Sequence, residues 1–133
     1  MGDRQNNRIQ VFDPDGTYLS EWGGVFRPDD LYIDREGYLF VAELGHRVGI
    51  TMNMPDPTSA SAWSQVSVFD LDGTPVARWG DPDYSVPGSF YAAHAICGDS
   101  QGVIYVGEVD WSVSRGNPPA GARHLQKLVR KEA

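Results

Sequence analysis

The carboxylates Asp29, Asp30, Glu43, Glu108 and Asp110 are the side chains of this sequence with the most chemistry to offer. Paired acids can pass a proton between them, and clustered acids can ligate a hard cation such as calcium. Asp13-Pro14-Asp15-Gly16 and Asp70-Leu71-Asp72-Gly73 open like calcium loops but lack the downstream bidentate Glu, and they suit hairpin turns better. Of the three histidines, His46 reads as a solvated loop residue and His124 is given no role. The single cysteine, Cys97, has Ala93, Ala95 and Ile96 for neighbours and reads as an inert buried thiol, with no partner for an internal disulfide. No Gly-x-Ser-x-Gly elbow and no phosphate-cradling Gly-x-x-x-x-Gly-Lys-(Ser/Thr) loop is present.

The elements that must position these groups fit in one domain of 133 residues. Hydrophobic content of 41% and charged content of 22% describe a globular chain. No apolar run approaches the roughly 18 residues of a membrane span, so no membrane partner is expected. A net charge of −7, with basic residues clustered only at Arg123, Lys127, Arg130 and Lys131, disfavours nucleic acid. Met1 to Arg8 has no apolar stretch after its charges, so no secretory signal is read and a cytoplasmic location is the default expectation.

Two units recur in alternation. Val11-Phe12-Asp13-Pro14-Asp15-Gly16-Thr17 returns 57 residues later as Val68-Phe69-Asp70-Leu71-Asp72-Gly73-Thr74, and Trp22-Gly23 returns at the same offset as Trp79-Gly80. Asp34-Arg35-Glu36-Gly37-Tyr38-Leu39-Phe40-Val41-Ala42-Glu43 returns 65 residues later as Asp99-Ser100-Gln101-Gly102-Val103-Ile104-Tyr105-Val106-Gly107-Glu108. Asp-x-x-Gly between β-branched and aromatic runs is hairpin punctuation, so the fold class is all-β. The expected hairpins are 8–12 with 18–22, 31–34 with 38–43, 65–69 with 75–79, and 93–97 with 103–108. No amphipathic helix is read in residues 1–110. Residues 124–130 read as a strand by repeat phase, with a helix as the alternative. Insertions at 45–62 and 112–121 break the rhythm and decorate one side.

Asp3-Arg4-Gln5-Asn6-Asn7-Arg8-Ile9-Gln10-Val11-Phe12-Asp13-Pro14-Asp15-Gly16 resembles the closing half of an NHL repeat, and Asp-x-x-Gly-x-(Leu/Ile)-(Phe/Tyr)-Val-x-Glu resembles its opening half. Nearly the whole chain is similar to the C-terminal part of bacterial NHL β-propellers related to peptidyl-α-hydroxyglycine α-amidating lyase. The resemblance implies four-stranded antiparallel blades around a channel, about half of a six-bladed ring. Residues 1–23 would be the outer strands of one blade, 24–80 a complete second blade, and 81–133 a third. An open arc leaves apolar faces and strand edges in water, so self-association is expected, as a homodimer or higher oligomer.

The lyase-like proteins hold zinc with histidines at the start of inner strands, and the resemblance carries that role to His94 alone. Asp29 holds the same place one blade earlier. One imidazole cannot hold a catalytic zinc, which needs three protein ligands, so His94 is expected to line the channel. Trp63 and Trp111 border the insertions and, with Met52, Met54, Tyr84, Phe90 and Tyr91, form either a recognition surface or cover for the blade ends. The expectation is a binding or scaffold module for a protein or small-molecule ligand, with Asp29, Asp30, His94, Trp63 and Trp111 at the channel mouth. The alternative is a lyase-like, divalent-metal-dependent enzyme around His94. Neither zinc nor calcium is required by the sequence.

Overall fold

The computed structural model describes residues 1–45 and 63–130. His46, Met52 and Met54, and most of the first insertion, lie outside the described residues. Three antiparallel sheets make an all-β structure. The first holds β1 (Gly2–Asp3), β2 (Arg8–Phe12) and β3 (Tyr18–Trp22); the central one holds β4 (Pro28–Ile33), β5 (Leu39–Glu43), β6 (Gln65–Phe69) and β7 (Pro75–Trp79). The last holds β8 (Ala93–Gly98), β9 (Ile104–Glu108) and β10 (Leu125–Leu128) in the order β10-β9-β8. Residues 125–128 are thus a strand, as the repeat phase requires.

Four turns of one design connect the hairpins. Asp13, Asp34, Asp70 and Asp99 each use Oδ1 to accept the N–H groups two and four residues on, at 2.8–3.1 Å. Each is followed three residues later by a glycine at φ between +79° and +86°, the left-handed region where a Cβ is costly. The Asp-x-x-Gly motif is therefore a turn, and its carboxylates serve backbone.

The sheets meet at two apolar seams. Ile9, Val25, Leu39, Val41 and Phe69 fill the first seam, with Trp22 and Leu31 against them. Ala42, Val66, Phe90, Ala93, Ile96, Ile104 and Val106 fill the second, with Tyr32, Phe40, Trp79 and Leu128 at its margin. Strand alternation sends Ile96 into this seam and its neighbour Cys97 to the opposite face. That face is uncovered, so Cys97 is exposed, which corrects the expectation of a buried thiol.

Two smaller corrections concern elements. The chain pairs from Gly2 onward, with Gly2 opposite Ile9, so the first sheet has a third short strand. A 3-10 turn at Arg4–Asn6 and one helical turn, α1 (Asp110–Val113), interrupt the β-structure, the second at the edge of what reads as a loop. Both are too short to show the 3.6-residue periodicity by which a helix is recognised. Phe90 and Tyr91 are 0% and 6% exposed, so they are core residues and not part of a recognition surface.

Two glutamates, one fully buried and one half-buried, fix the loops that lead into β4 and β8. Glu43, fully buried, accepts from the Phe26 N–H at 2.6 Å and the Gln65 side-chain amide at 2.9 Å, and from the Ser67 hydroxyl. Burial pushes its pKa up, against the pull of the Ser67, Gln65 and Phe26 hydrogen bonds. At the matching place, Glu108 accepts from the Tyr91 and Ala92 N–H groups at 2.8 and 3.1 Å and from Gln126 Nε2 at 2.9 Å. The terminal Glu of the repeated motif is a latch on the loop before β4 or β8.

Candidate functional site

Directly after each latched loop, the strand that follows, β4 or β8, bulges. Pro28 pairs with Glu43 and Asp30 with Ala42, leaving Asp29 as the extra residue of β4. Ala93 pairs with Glu108 and Ala95 with Gly107, leaving His94 as the extra residue of β8. A β-bulge kinks the strand and re-aims the unpaired side chain. Because β4 and β8 lie side by side, the two bulges bring Asp29 and His94 together, with Asp29 Oδ2 3.9 Å from His94 Nε2.

Two arginines complete this cup. Arg4, from the 3-10 turn of the first sheet, places Nη1 3.0 Å from Asp29 Oδ1. Arg27 is 7% exposed and holds a left-handed backbone at φ +51°, with its N–H donated to Asn7 Oδ1 at 2.9 Å. A bulky residue in that conformation is strained, and the strain here fixes where the guanidinium stem leaves the chain. Burial, followed by the nearby Arg4 charge, lowers the Arg27 pKa.

The cup is under-satisfied. The Asp29 side chain is only 3% exposed, yet its Oδ2 has no hydrogen-bond partner among the described residues. The Nε atoms of Arg4 and Arg27 are likewise buried and unpartnered. Burial raises the Asp29 pKa, while Arg4, His94 and Arg27 pull it back down. His94 sits at the mouth, 43% exposed along its side chain. The arrangement offers one buried acceptor, two buried donors and one accessible imidazole.

Asp30 is adjacent but differently employed. Its Oδ1 accepts the Leu31 N–H and its Oδ2 the Ile96 N–H, both at 2.9 Å, so it ties β4 to β8 and holds the two bulges in register. No hydrogen bond, ion pair or ring contact among the described residues joins Trp63 or Trp111 to Asp29 or His94. Trp63 keeps a buried indole Nε1 without an acceptor, and Trp111 is 63% exposed beside the Gly116 backbone.

The described residues do not by themselves supply a catalytic zinc site at His94. Among the described residues, no three His, Cys, Asp or Glu side chains converge to hold a metal, and Arg4 competes for the Asp29 carboxylate. The acids weighed as a calcium set are divided between backbone amides and side-chain partners: Glu43 and Glu108 in latches, Asp30 in a strand tie, and Asp110 with His124 Nδ1 at 2.8 Å. That last pair orients an exposed imidazole on a buried carboxylate.

Sequence reasoning missed Arg4 and Arg27. Arg27 could have been found by its place two residues before Asp29, but only the fold brings Arg4 across from the first sheet. Compared with known proteins, the chain matches no family model and no curated protein.

Proposed function

We propose that this chain is a binding module built from NHL-type propeller blades, taking a small molecule or peptide end at the Asp29–His94 cup. The observation that carries the reading is the buried Asp29 carboxylate with an unpartnered Oδ2. Unsatisfied buried polar atoms cost roughly 1–3 kcal/mol each, so a group of three in one place is best explained by a ligand that completes them. That ligand donates a hydrogen bond to Asp29 Oδ2 and offers an acceptor, such as a carboxylate, to the arginines.

Three features support the blade reading: antiparallel sheets that succeed one another along the chain, the same Asp-turn in four hairpins, and a latch and bulge at equivalent places in two sheets. In this reading the arc completes itself with a second copy. The open sides carry Tyr18 and Leu19 at one end and Cys97 and Leu125 at the other, all exposed. Light scattering tests this part, with a mass of twice 14.6 kDa or a higher multiple expected and a stable monomer against it.

The cup is tested by thermal denaturation with acetate, glycolate or glycine at fixed ionic strength. Glycolate and glycine, which carry donor and acceptor together, should raise Tm more than acetate, and Asp29→Asn should remove the difference. Equal midpoints for all three would reject the reading. A metal-dependent lyase is the rival, favoured by the approach of a carboxylate and an imidazole at 3.9 Å. Zinc bound stoichiometrically by the protein and lost in His94→Ala would support it.

A further inference from the structure

Apart from the cup, a second imidazole stands on a buried carboxylate. Asp110 opens the short turn α1 with its side chain 3% exposed, whereas the side chain of His124, just before β10, is 75% exposed. Asp110 Oδ1 and His124 Nδ1 lie 2.8 Å apart. The backbone of His124 is fixed as well, since its carbonyl accepts the Glu108 N–H at 2.9 Å. Main chain and ring are therefore both held, while the ring stays open to water.

This pairing decides which ring nitrogen can react. A carboxylate only accepts hydrogen bonds, so Nδ1 carries the hydrogen and Nε2 keeps its lone pair. An imidazole without such a partner shares its hydrogen between the two nitrogens and offers Nε2 only part of the time. At His94 the order is reversed, because there Nε2 is the atom that approaches a carboxylate, at 3.9 Å. A carboxylate behind Nδ1 also stabilises the positive ring that forms when Nε2 bonds to an electrophile. His124 thus has two marks of an activated nucleophile, a fixed tautomer and a counter-charge. We propose that His124 Nε2 is a phosphoryl acceptor, taking the phosphoryl group of a small acyl phosphate.

In this step Nε2 bonds to phosphorus as the P–O bond to the acyl group breaks. The electron pair of that bond leaves on the carboxylate oxygen of the departing acid. The ring keeps its Nδ1 hydrogen and takes up a positive charge, which the Asp110 carboxylate faces. The choice of an anionic donor follows from charge. In a chain of net charge −7, the basic residues cluster at Arg123, Lys127, Arg130 and Lys131, and His124 lies within that cluster in sequence. The Arg123 guanidinium is held in place by the Tyr84 and Ser85 carbonyls, at 3.1 and 2.9 Å. Clustered cations raise the local concentration of a phosphate dianion, whereas a neutral ester gains nothing from them.

The test incubates the intact chain with acetyl phosphate and follows intact and fragment masses. Phosphoryl addition at His124 is expected, at least about tenfold faster than at His94 or on N-acetylhistidine. His124→Gln should abolish it, and Asp110→Asn, which keeps an acceptor but loses the charge, should slow it several-fold. Added salt should slow it too, by screening the basic cluster. Asp29→Asn should leave it unchanged, which separates this site from the cup. Equal rates at His124 and on N-acetylhistidine would overturn the proposal, as would transfer of the acetyl group to His124 in place of the phosphoryl group. A folded Asp110→Asn chain that reacts at the parent rate would overturn it as well. The comparison with N-acetylhistidine needs no variant, so it decides the matter even where a change at the buried Asp110 unfolds the chain.

Discussion

The first and second seams show how one sequence pattern yields two different degrees of closure. Both have a tryptophan at the end of an edge strand, a glutamate latch and an apolar filling. In the first, the β6–β7 turn closes over Trp22, and nearly every position of β5 and β6 is buried. In the second, Leu128 is only half-buried, and the matching tryptophan, Trp79, looks into a groove. A strand is buried on both faces only when sheets stand on both sides of it. The central sheet has both neighbours and the last has one.

The sharpest way to break this comparison is at the latches. Glu43→Ala, which strands the Phe26 N–H and Gln65 amide in a fully buried site, should cost about 3–5 kcal/mol. Glu108→Ala, in the more open last sheet, should cost about 1–3 kcal/mol. Urea unfolding of both variants measures the difference, and equal losses would mean that the seams are equally closed.

A smaller effect is expected at the turns. Gly73→Ala puts a methyl group into the Trp22 indole at φ +86°, at a cost of about 2–4 kcal/mol. Gly16→Ala, in the equivalent turn at φ +84° with nothing near its would-be Cβ, should cost about 1–2 kcal/mol. Thermal midpoints of the two variants isolate the packing contribution from the shared backbone strain.

Smaller again is a pH effect. Burial raises the pKa of Glu43 in the folded chain, so the folded state binds this proton more tightly than the unfolded one. Its contribution to stability is therefore fullest below its ordinary value of 4.5 and is lost as pH rises through the raised folded value. Asp29 acts in the same direction from an ordinary value of 3.8. Glu43→Gln should flatten that part of the stability–pH curve, as read from urea midpoints taken between pH 4.5 and neutrality. The smallest effect is expected from His94→Ala, within about 0.5 kcal/mol of the parent, because the imidazole is 43% exposed and accepts no structural load. A large loss there would make His94 part of the scaffold.

Much of the scaffold was legible in the residues. Asp13, Asp34, Asp70 and Asp99 announced their turns because the turn is made within five residues, by a carboxylate and a glycine in fixed order. The 65-residue repeat also placed Asp29 and His94 at equivalent positions, although not in contact. Cys97 was misjudged because composition shows that a segment is apolar but not which of its two faces meets another sheet. Phe90 and Tyr91 stayed open between two readings for the same reason: a loop aromatic looks the same in sequence whether it plugs a seam or faces water.

The sequence by itself determined the strands, the turns between them and the order of the two alternating units, since these depend on interactions between residues close along the chain. Tertiary structure alone decided that Arg4 reaches Asp29 from another sheet, that two bulges converge on one cup, and that Trp79 is left beside an open groove while Trp22 is covered. Those outcomes depend on how neighbouring sheets pack and where their edges stop, and contacts between groups dozens of residues apart leave no local pattern to read.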